Sequence, residues 1–215
     1  MIRYLYASQL DAHADLAADM FRDRAAQFRD RMKWDVTVDE LGWETDQYDA
    51  LDPLYVIAED ERGHHAASMR FLPTTGRTMT AEIFPHLIGG APIRSPLIWE
   101  CTRFCLSPTA AAGSEGALVA SKLLLGGMIL GLEMGTTHSL GVFDRPMVRV
   151  YRRLGWSPEI LGTADGISAG LWTLSQDVAD AFCAKIGVAP GEARGWLDAA
   201  FGGAAAGGEA LPVAA

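Results

Sequence analysis

An α/β or α+β sandwich is the fold class that this sequence of 215 residues predicts. Three observations point there. Seven or so short apolar, β-favouring runs are interspersed with segments of helical period, the pattern of a sheet covered by helices. Hydrophobic residues make up 49% of the chain, enough to bury the core of one domain. And one run, Leu97-Ile98-Trp99-Glu100-Cys101-Thr102-Arg103-Phe104-Cys105-Leu106, reads as a buried central strand although it carries a carboxylate and a guanidinium. An isolated ion taken out of water costs several kcal/mol, so Glu100 and Arg103 need partners or work to do.

Their spacing poses a geometric problem. Side chains alternate faces along a strand, and positions 100 and 103 differ by an odd number, so a regular strand would send them to different sites. A β-bulge between them would reset the alternation, and bulges concentrate beside active sites. We expect the bulge.

The elements follow in order. Ile2 to Ala7 read as a first strand ended by Ser8 as a helix cap, with a helix running to about Asp30. On that helix Arg24 reads as part of a solvated basic fringe, and Phe28, like Trp34 beyond it, as ordinary core. The loop Glu44-Thr45-Asp46-Gln47-Tyr48-Asp49 has the composition of turn chemistry, but loops are also where sites are built. Leu54 to Ala58 and Ala66 to Leu72 form a predicted hairpin, with His64 and His65 solvated at its turn. Arg70, late on the second strand, needs an acid if it is buried. Asp46 or Asp49 would supply about 4 kcal/mol of raw attraction at ~4 Å with an effective dielectric near ~20, before desolvation.

Dense Gly and Pro from Gly76 to Pro96 predict a loop excursion with at most one short helix near Ala81 to Leu87. The charged strand, about Ile98 to Leu106, comes next. A helix capped by Ser114 then runs to about Glu133, followed by a strand from Thr137 to Phe143 and a helix from Asp144 to Leu154 stopped by Gly155. Arg145, Arg149, Arg152 and Arg153 fall on one face of that helix. Strands from Trp156 to Leu161 and from Ile167 to Ser175 precede helices near Gln176 to Ile186 and Glu192 to Ala200. Residues 1–201 are expected to form a single domain, and the Gly/Ala-rich tail, 202–215, has little to bury and is expected to be disordered.

Composition narrows the function. The formal net charge of −9 argues against nucleic acid or an anionic membrane as partner. The opening Met1-Ile2-Arg3-Tyr4-Leu5-Tyr6-Ala7 soon turns polar, unlike a signal peptide, and the apolar run from Ala117 to Met134 is interrupted by Ser121, Lys122, several glycines and Glu133, so a soluble intracellular protein is expected. Cys101, Cys105 and Cys183 lack metal spacing and read as core filler, and no metal is expected.

Four pieces in this order and spacing resemble the acyl-homoserine-lactone synthases, the LuxI-type autoinducer synthases. They are Arg24, Phe28 and Trp34; the loop from Glu44 to Asp49; Arg70-Phe71-Leu72-Pro73-Thr74; and Glu100-Cys101-Thr102-Arg103-Phe104. The second half matches mainly through Arg152-Arg153-Leu154-Gly155-Trp156.

The resemblance implies a GNAT-like twisted mixed sheet with a V-shaped cleft and helices on both faces. It implies two substrates, S-adenosylmethionine and a fatty acyl thioester, usually on acyl carrier protein, in a cytoplasmic and monomeric enzyme without a cofactor, because S-adenosylmethionine is consumed. Its amine is acylated, and its carboxylate then attacks its own γ-carbon and expels methylthioadenosine. The roles implied are Glu100 as proton acceptor, a task worth a hundredfold to ten-thousandfold, roughly, in rate; Asp46 and Asp49 on the cationic side of the ligand; Arg70 locking their loop; and Arg103 holding a carboxylate or supporting that loop. Phe28, Trp34 and Phe104 would stack on adenine, with Arg24 closing a flap. Leu123, Leu124, Met128, Leu140, Gly141, Met147, Val148 and Tyr151 would line the acyl pocket. Gly141 stands where a threonine serves 3-oxo chains in the family, so a chain without that group is expected. Arg145, Arg149, Arg152 and Arg153 would dock the acidic carrier protein. Glu115 at a helix start disfavours the diphosphate of coenzyme A. The alternative is a GNAT-like N-acyltransferase that uses acyl-CoA on another amine and makes no lactone.

Overall fold

A computed structural model describes residues 1–113 and 115–205. Its strands are β1 (Ile2–Tyr6), β2 (Leu54–Glu59), β3 (His65–Pro73), β4 (Ile98–Leu106), β5 (His138–Asp144), β6 (Glu159–Ala164) and β7 (Ile167–Thr173), in one sheet of order β1-β2-β3-β4-β5-β7-β6. The α-helices are α1 (Ala14–Ala25), α2 (Met79–Ile83), α3 (Pro108–Ala112), α4 (Gly116–Glu133), α5 (Arg145–Leu154), α6 (Gln176–Ile186) and α7 (Pro190–Ala205). This is the expected mixed sheet with helices on both faces.

Every strand pairing is antiparallel except β4 with β5. That exception opens the molecule. The two strands pair from Ile98 with His138 only as far as Cys101 with Gly141, and beyond those residues the ladder ends and a cleft begins.

Why both faces of the sheet are covered is visible in β2, whose run from Leu54 to Ala58 is buried throughout. Tyr55 and Ile57 pack against Leu16, Met20 and Phe21 of α1, while Leu54, Val56 and Ala58 join Leu123 and Leu130 of α4 on the other side. A strand buried on both faces reads as continuous hydrophobicity rather than alternation. α4 lies close to the sheet because its inner face carries glycine. A Cβ at Gly127 would meet Met69 and Phe71 side-chain carbons at 2.6 and 2.7 Å.

Several local expectations need correction. Ser8 is not the cap; the Tyr6 amide at the end of β1 donates to the Gln9 side chain, while Ser8 binds Asp52. The first helical stretch is three pieces, with a 3-10 turn before α1 and a π-helical turn from Ala26 to Arg31 after it. His65 is buried, not solvated, bonded to Asp23 and Ser68 at 2.7 and 2.9 Å. The loop after β3 holds a 3-10 turn, Pro85–Ile88, as well as α2. β6 begins at Glu159, three residues later than its hydrophobicity indicates, and α7 continues to Ala205. Ser114 and 206–215 lie outside the described residues.

Candidate active site

The β4 bulge organises the site. Ser68 of β3 pairs with Cys105 and Arg70 with Thr102, so two steps on β3 face three on β4. Arg103 is the extra residue and takes a left-handed φ of 54°, costly for a side chain with a Cβ and the mark of a strained, structurally required position. Thr102 and Arg103 therefore both turn toward the α1 side, while Phe104 falls to the α4 side. The expected bulge is present.

Three arginines meet three carboxylates on that side. Arg24 of α1, 1% exposed, donates to Glu44 at 2.6 Å and in a fork to Asp49 at 3.0 and 3.0 Å. Arg70, 0% exposed, donates to Asp46 at 2.5 and 3.0 Å, to Asp49 at 2.6 Å and to Thr102 at 3.0 Å. Arg103 reaches Glu44 at 3.0 Å and Asp46 at 2.8 Å. Charges cancel within the cluster, which is what permits its burial. Burial favours the neutral form of Asp49, but Arg24 and Arg70 outweigh it and hold its carboxyl below the usual carboxylate range. Burial likewise opposes the charge on Arg24, and Asp49 and Glu44 more than restore it.

The loop's own chemistry sets the carboxylates. Asp46 accepts from the Tyr48 amide at 2.9 Å and Asp49 from the Asp46 amide at 2.8 Å, so the turn and the ion cluster use the same side chains. Asp49 also accepts from Tyr55 at 2.5 Å. Its contacts are committed inward, which leaves Asp46 as the aspartate facing the cleft. Arg24 is not a solvated fringe residue but the buried partner of this loop.

Phe28 and Trp34 stack at 5.3 Å and 14°, and the Arg103 guanidinium lies 5.3 Å from the Phe28 ring centre. Trp34 stays 41% exposed, an aromatic face left open at the rim of the cleft. Phe104 does not join them, because the bulge sends it to the opposite face.

Glu100 is 1% exposed and accepts from the Met79 and Thr80 amides at 2.9 and 2.6 Å, so it holds the start of α2. Burial pushes its carboxyl above the ordinary value, against the hydrogen bonds from α2. Arg103 touches the same helix through the Met79 sulfur at 3.7 Å. Glu100 and Arg103 thus act on one element from one face. Tyr48, on the facing loop, donates to Glu82 of α2, and burial and that bond push its phenol up to about 12.

Two chambers adjoin. The larger, about 670 Å³, is walled by Trp34, Glu44, Asp46, Tyr48, Met79 and Phe84, with Asp144 at the start of α5. The smaller, about 70 Å³, lies behind the bulge among Phe71, Phe104, Leu124, Tyr151, Trp156 and Trp172. Arg103 and Val142 belong to both walls and mark the junction. Glu100, Arg70 and Asp49 stand behind the walls rather than in them.

Of the residues expected in the apolar pocket, Leu124, Gly141 and Tyr151 line the small chamber. Leu140 is in register with Glu100 and shares the other face. Leu123 packs with Ile2 and Tyr4, while Met128, Met147 and Val148 pack into the core around Phe143. Arg145, Arg149, Arg152 and Arg153 are all exposed on α5. Sequence reasoning missed Glu44, Thr102, Val142, Trp156 and Trp172 as parts of the site. Glu44 was findable by charge balance, since three buried arginines call for a third acid.

A sheet splayed at a parallel pair, with a bulged strand at the junction, is a GNAT-like fold. A model of the autoinducer synthase family matches residues 7–176. The chain is 41% identical over 183 residues to an acyl-homoserine-lactone synthase of Rhizobium etli, covering 82% of this chain and 86% of that one. Among solved structures it is similar to MesI, described as a CoA-dependent acyl-homoserine lactone synthase, with TM-score 0.77, 26% identity and coverage of 88% and 96%. It is also similar to TofI, solved in a ternary complex with an inhibitor and MTA, with TM-score 0.69, 26% identity and coverage of 89% and 99%. The chain belongs to the acyl-homoserine-lactone synthases.

Proposed function

We propose that this enzyme transfers a fatty acyl group from acyl carrier protein to the amine of S-adenosylmethionine and then closes the lactone, releasing methylthioadenosine, as a cytoplasmic monomer in quorum sensing. The observation that carries the reading is the junction at Arg103 and Val142, where a carboxylate-lined chamber meets an apolar one. A sulfonium amino acid suits the first and an acyl chain the second, so amine and thioester carbonyl would meet at the bulge.

In this reading the adenine lies against Trp34 and the ammonium and sulfonium face Asp46, with Arg103 toward the ligand carboxylate. The attacking amine must lose a proton. Glu100 has both oxygens on α2 amides, so it accepts that proton through a water rather than by direct contact, and its raised pKa brings it nearer to the range of a useful base. The lactone then forms when the carboxylate displaces methylthioadenosine from the γ-carbon. S-adenosylmethionine is consumed, and no step calls for a metal or other cofactor.

The carrier protein is favoured over coenzyme A by the start of α4. The Ala110 carbonyl of α3 occupies the space where a side chain at Gly116 would stand, and the Gly116 amide is taken by the Gly113 carbonyl at 3.3 Å. Exposed Glu115 adds a negative charge, which disfavours a diphosphate there. Coenzyme A is the second reading, favoured by the likeness to MesI. The test is labelled S-adenosylmethionine with octanoyl-acyl carrier protein or octanoyl-CoA. Equimolar lactone and methylthioadenosine, formed faster from the carrier substrate, is the expected result; acylation without methylthioadenosine would remove the lactone step.

A further inference from the structure

The small chamber holds one polar group that no other described residue satisfies. Trp172 is 6% exposed and lines the cavity, yet its Nε1 has no hydrogen-bond partner among the described residues. Trp156 supplies the contrast, because it lines the same cavity and its Nε1 donates to the Thr173 carbonyl at 2.9 Å. Buried indole N–H groups ordinarily find an acceptor, so an orphan in a ligand cavity calls for one from outside the chain. Packing does not require the nitrogen. The T-shaped contacts of Trp172 with Phe143 and Tyr151, at 5.2 and 4.9 Å, need only an aromatic ring. Ser139, its cross-strand partner on β5, brings a hydroxyl to the same wall.

Gly141 explains how the ring comes so near. A Cβ there would meet the Trp172 ring and the Cys101 carbonyl, each at 3.2 Å, so the absent side chain leaves the indole close against β5. The atoms that come nearest are Cζ3 and Cη2, on the edge of the ring away from Nε1. Gly141 stands next to Val142 at the junction, so this carbon edge faces the junction and Nε1 lies on the far side of the ring from it.

We propose that Trp172 is a specificity-determining residue whose indole N–H donates to an oxo or hydroxyl oxygen carried by the acyl chain. Chains bearing that oxygen are then preferred over unsubstituted ones, the reverse of what the glycine at 141 implies by itself. The inference rests on reading the small chamber as the acyl site. A donor placed for an oxygen goes unmet when the chain lacks it.

The test compares wild type with Trp172→Phe on octanoyl- and 3-oxooctanoyl-acyl carrier protein at saturating S-adenosylmethionine. Wild type should prefer the 3-oxo chain, and the variant should lower the ratio of the two kcat/KM values about tenfold, the scale of one neutral hydrogen bond. Equal losses on both chains would overturn the donor and leave the cavity as the acyl site; no change on either would overturn both. If the variant fails to fold, ¹⁵N-labelled wild type titrated with octanoyl- and 3-oxooctanoyl-homoserine lactone answers instead. One indole proton moving downfield only with the 3-oxo compound supports the proposal, and identical indole spectra overturn it.

Discussion

The two chambers that meet at Arg103 are built on opposite principles. The larger stands on directional bonds among Arg24, Arg70, Arg103, Glu44, Asp46 and Asp49, each group satisfied by others of the set. The smaller is shaped by aromatic and aliphatic surface with few polar atoms. A buried ion cluster cannot lose one member without stranding another, whereas an apolar wall yields by degrees as side chains shift. In the proposed reading the first therefore fixes the chemistry, and the second sets which chain is accepted.

Breaking the polar wall should have the largest effect. Asp49→Asn keeps the shape but removes the charge that Arg24 and Arg70 share, and breaking a buried pair in this way costs about 3–5 kcal/mol. The sign with pH follows from the depressed carboxyl of Asp49. Its stabilisation is present above the unfolded-state value of about 3.9 and is lost as pH falls through the lower folded-state value. Urea unfolding of wild type and variant should show the full gap at neutral pH and a closing gap in acid. A gap independent of pH would mean that shape, not charge, holds the loop.

This asymmetry also decides what could be read from the sequence. Glu100 and Arg103 in an apolar strand demand partners, and an odd spacing demands a bulge, so the polar wall and the boundaries of β4 were legible. Arg24 and His65 were not, because a polar residue looks the same on a solvated face as beneath one, and only packing against Glu44, Asp49 or Asp23 distinguishes them. The apolar wall was harder still. Leu123 and Leu124 are adjacent leucines, one in the core and one in the cavity, and Leu140 and Gly141 differ only by the face that strand register assigns. Trp172 reads as core by composition; its unsatisfied nitrogen exists only in three dimensions.

A gentler change sharpens the contrast from the apolar side. Gly127→Ala adds one methyl where Met69 and Phe71 carbons lie at 2.6 and 2.7 Å, and both are movable ends that line the small chamber. Overpacking of this kind costs about 1–3 kcal/mol. We expect the protein to fold, with the displaced side chains shortening the cavity and shifting the products toward shorter acyl chains. Mass spectrometry of lactones formed from mixed octanoyl and dodecanoyl carriers reads the shift. A variant with an unchanged product ratio would mean that Met69 and Phe71 do not limit the chain.

The smallest effect belongs to neither wall but to the approach. Arg145, Arg149, Arg152 and Arg153 are exposed on α5, whose Tyr151 reaches the small chamber, so the helix joins the surface to the proposed acyl site. Solvent and salt screen such charges, and a rim charge acts mainly on encounter rather than on the bound complex. Against a net charge of −9, this stripe can still attract an acidic carrier over a distance of about one Debye length, ~10 Å at ~0.1 M salt. Reversing Arg149 and Arg153 to Glu should therefore raise KM for octanoyl-acyl carrier protein by about tenfold at low salt and change KM for octanoyl-CoA much less. The gap should narrow as salt is added. If both thioesters suffer alike, the charges shape the cleft rather than recruit the carrier, and the division between a fixed polar wall and an outlying electrostatic approach has to be redrawn.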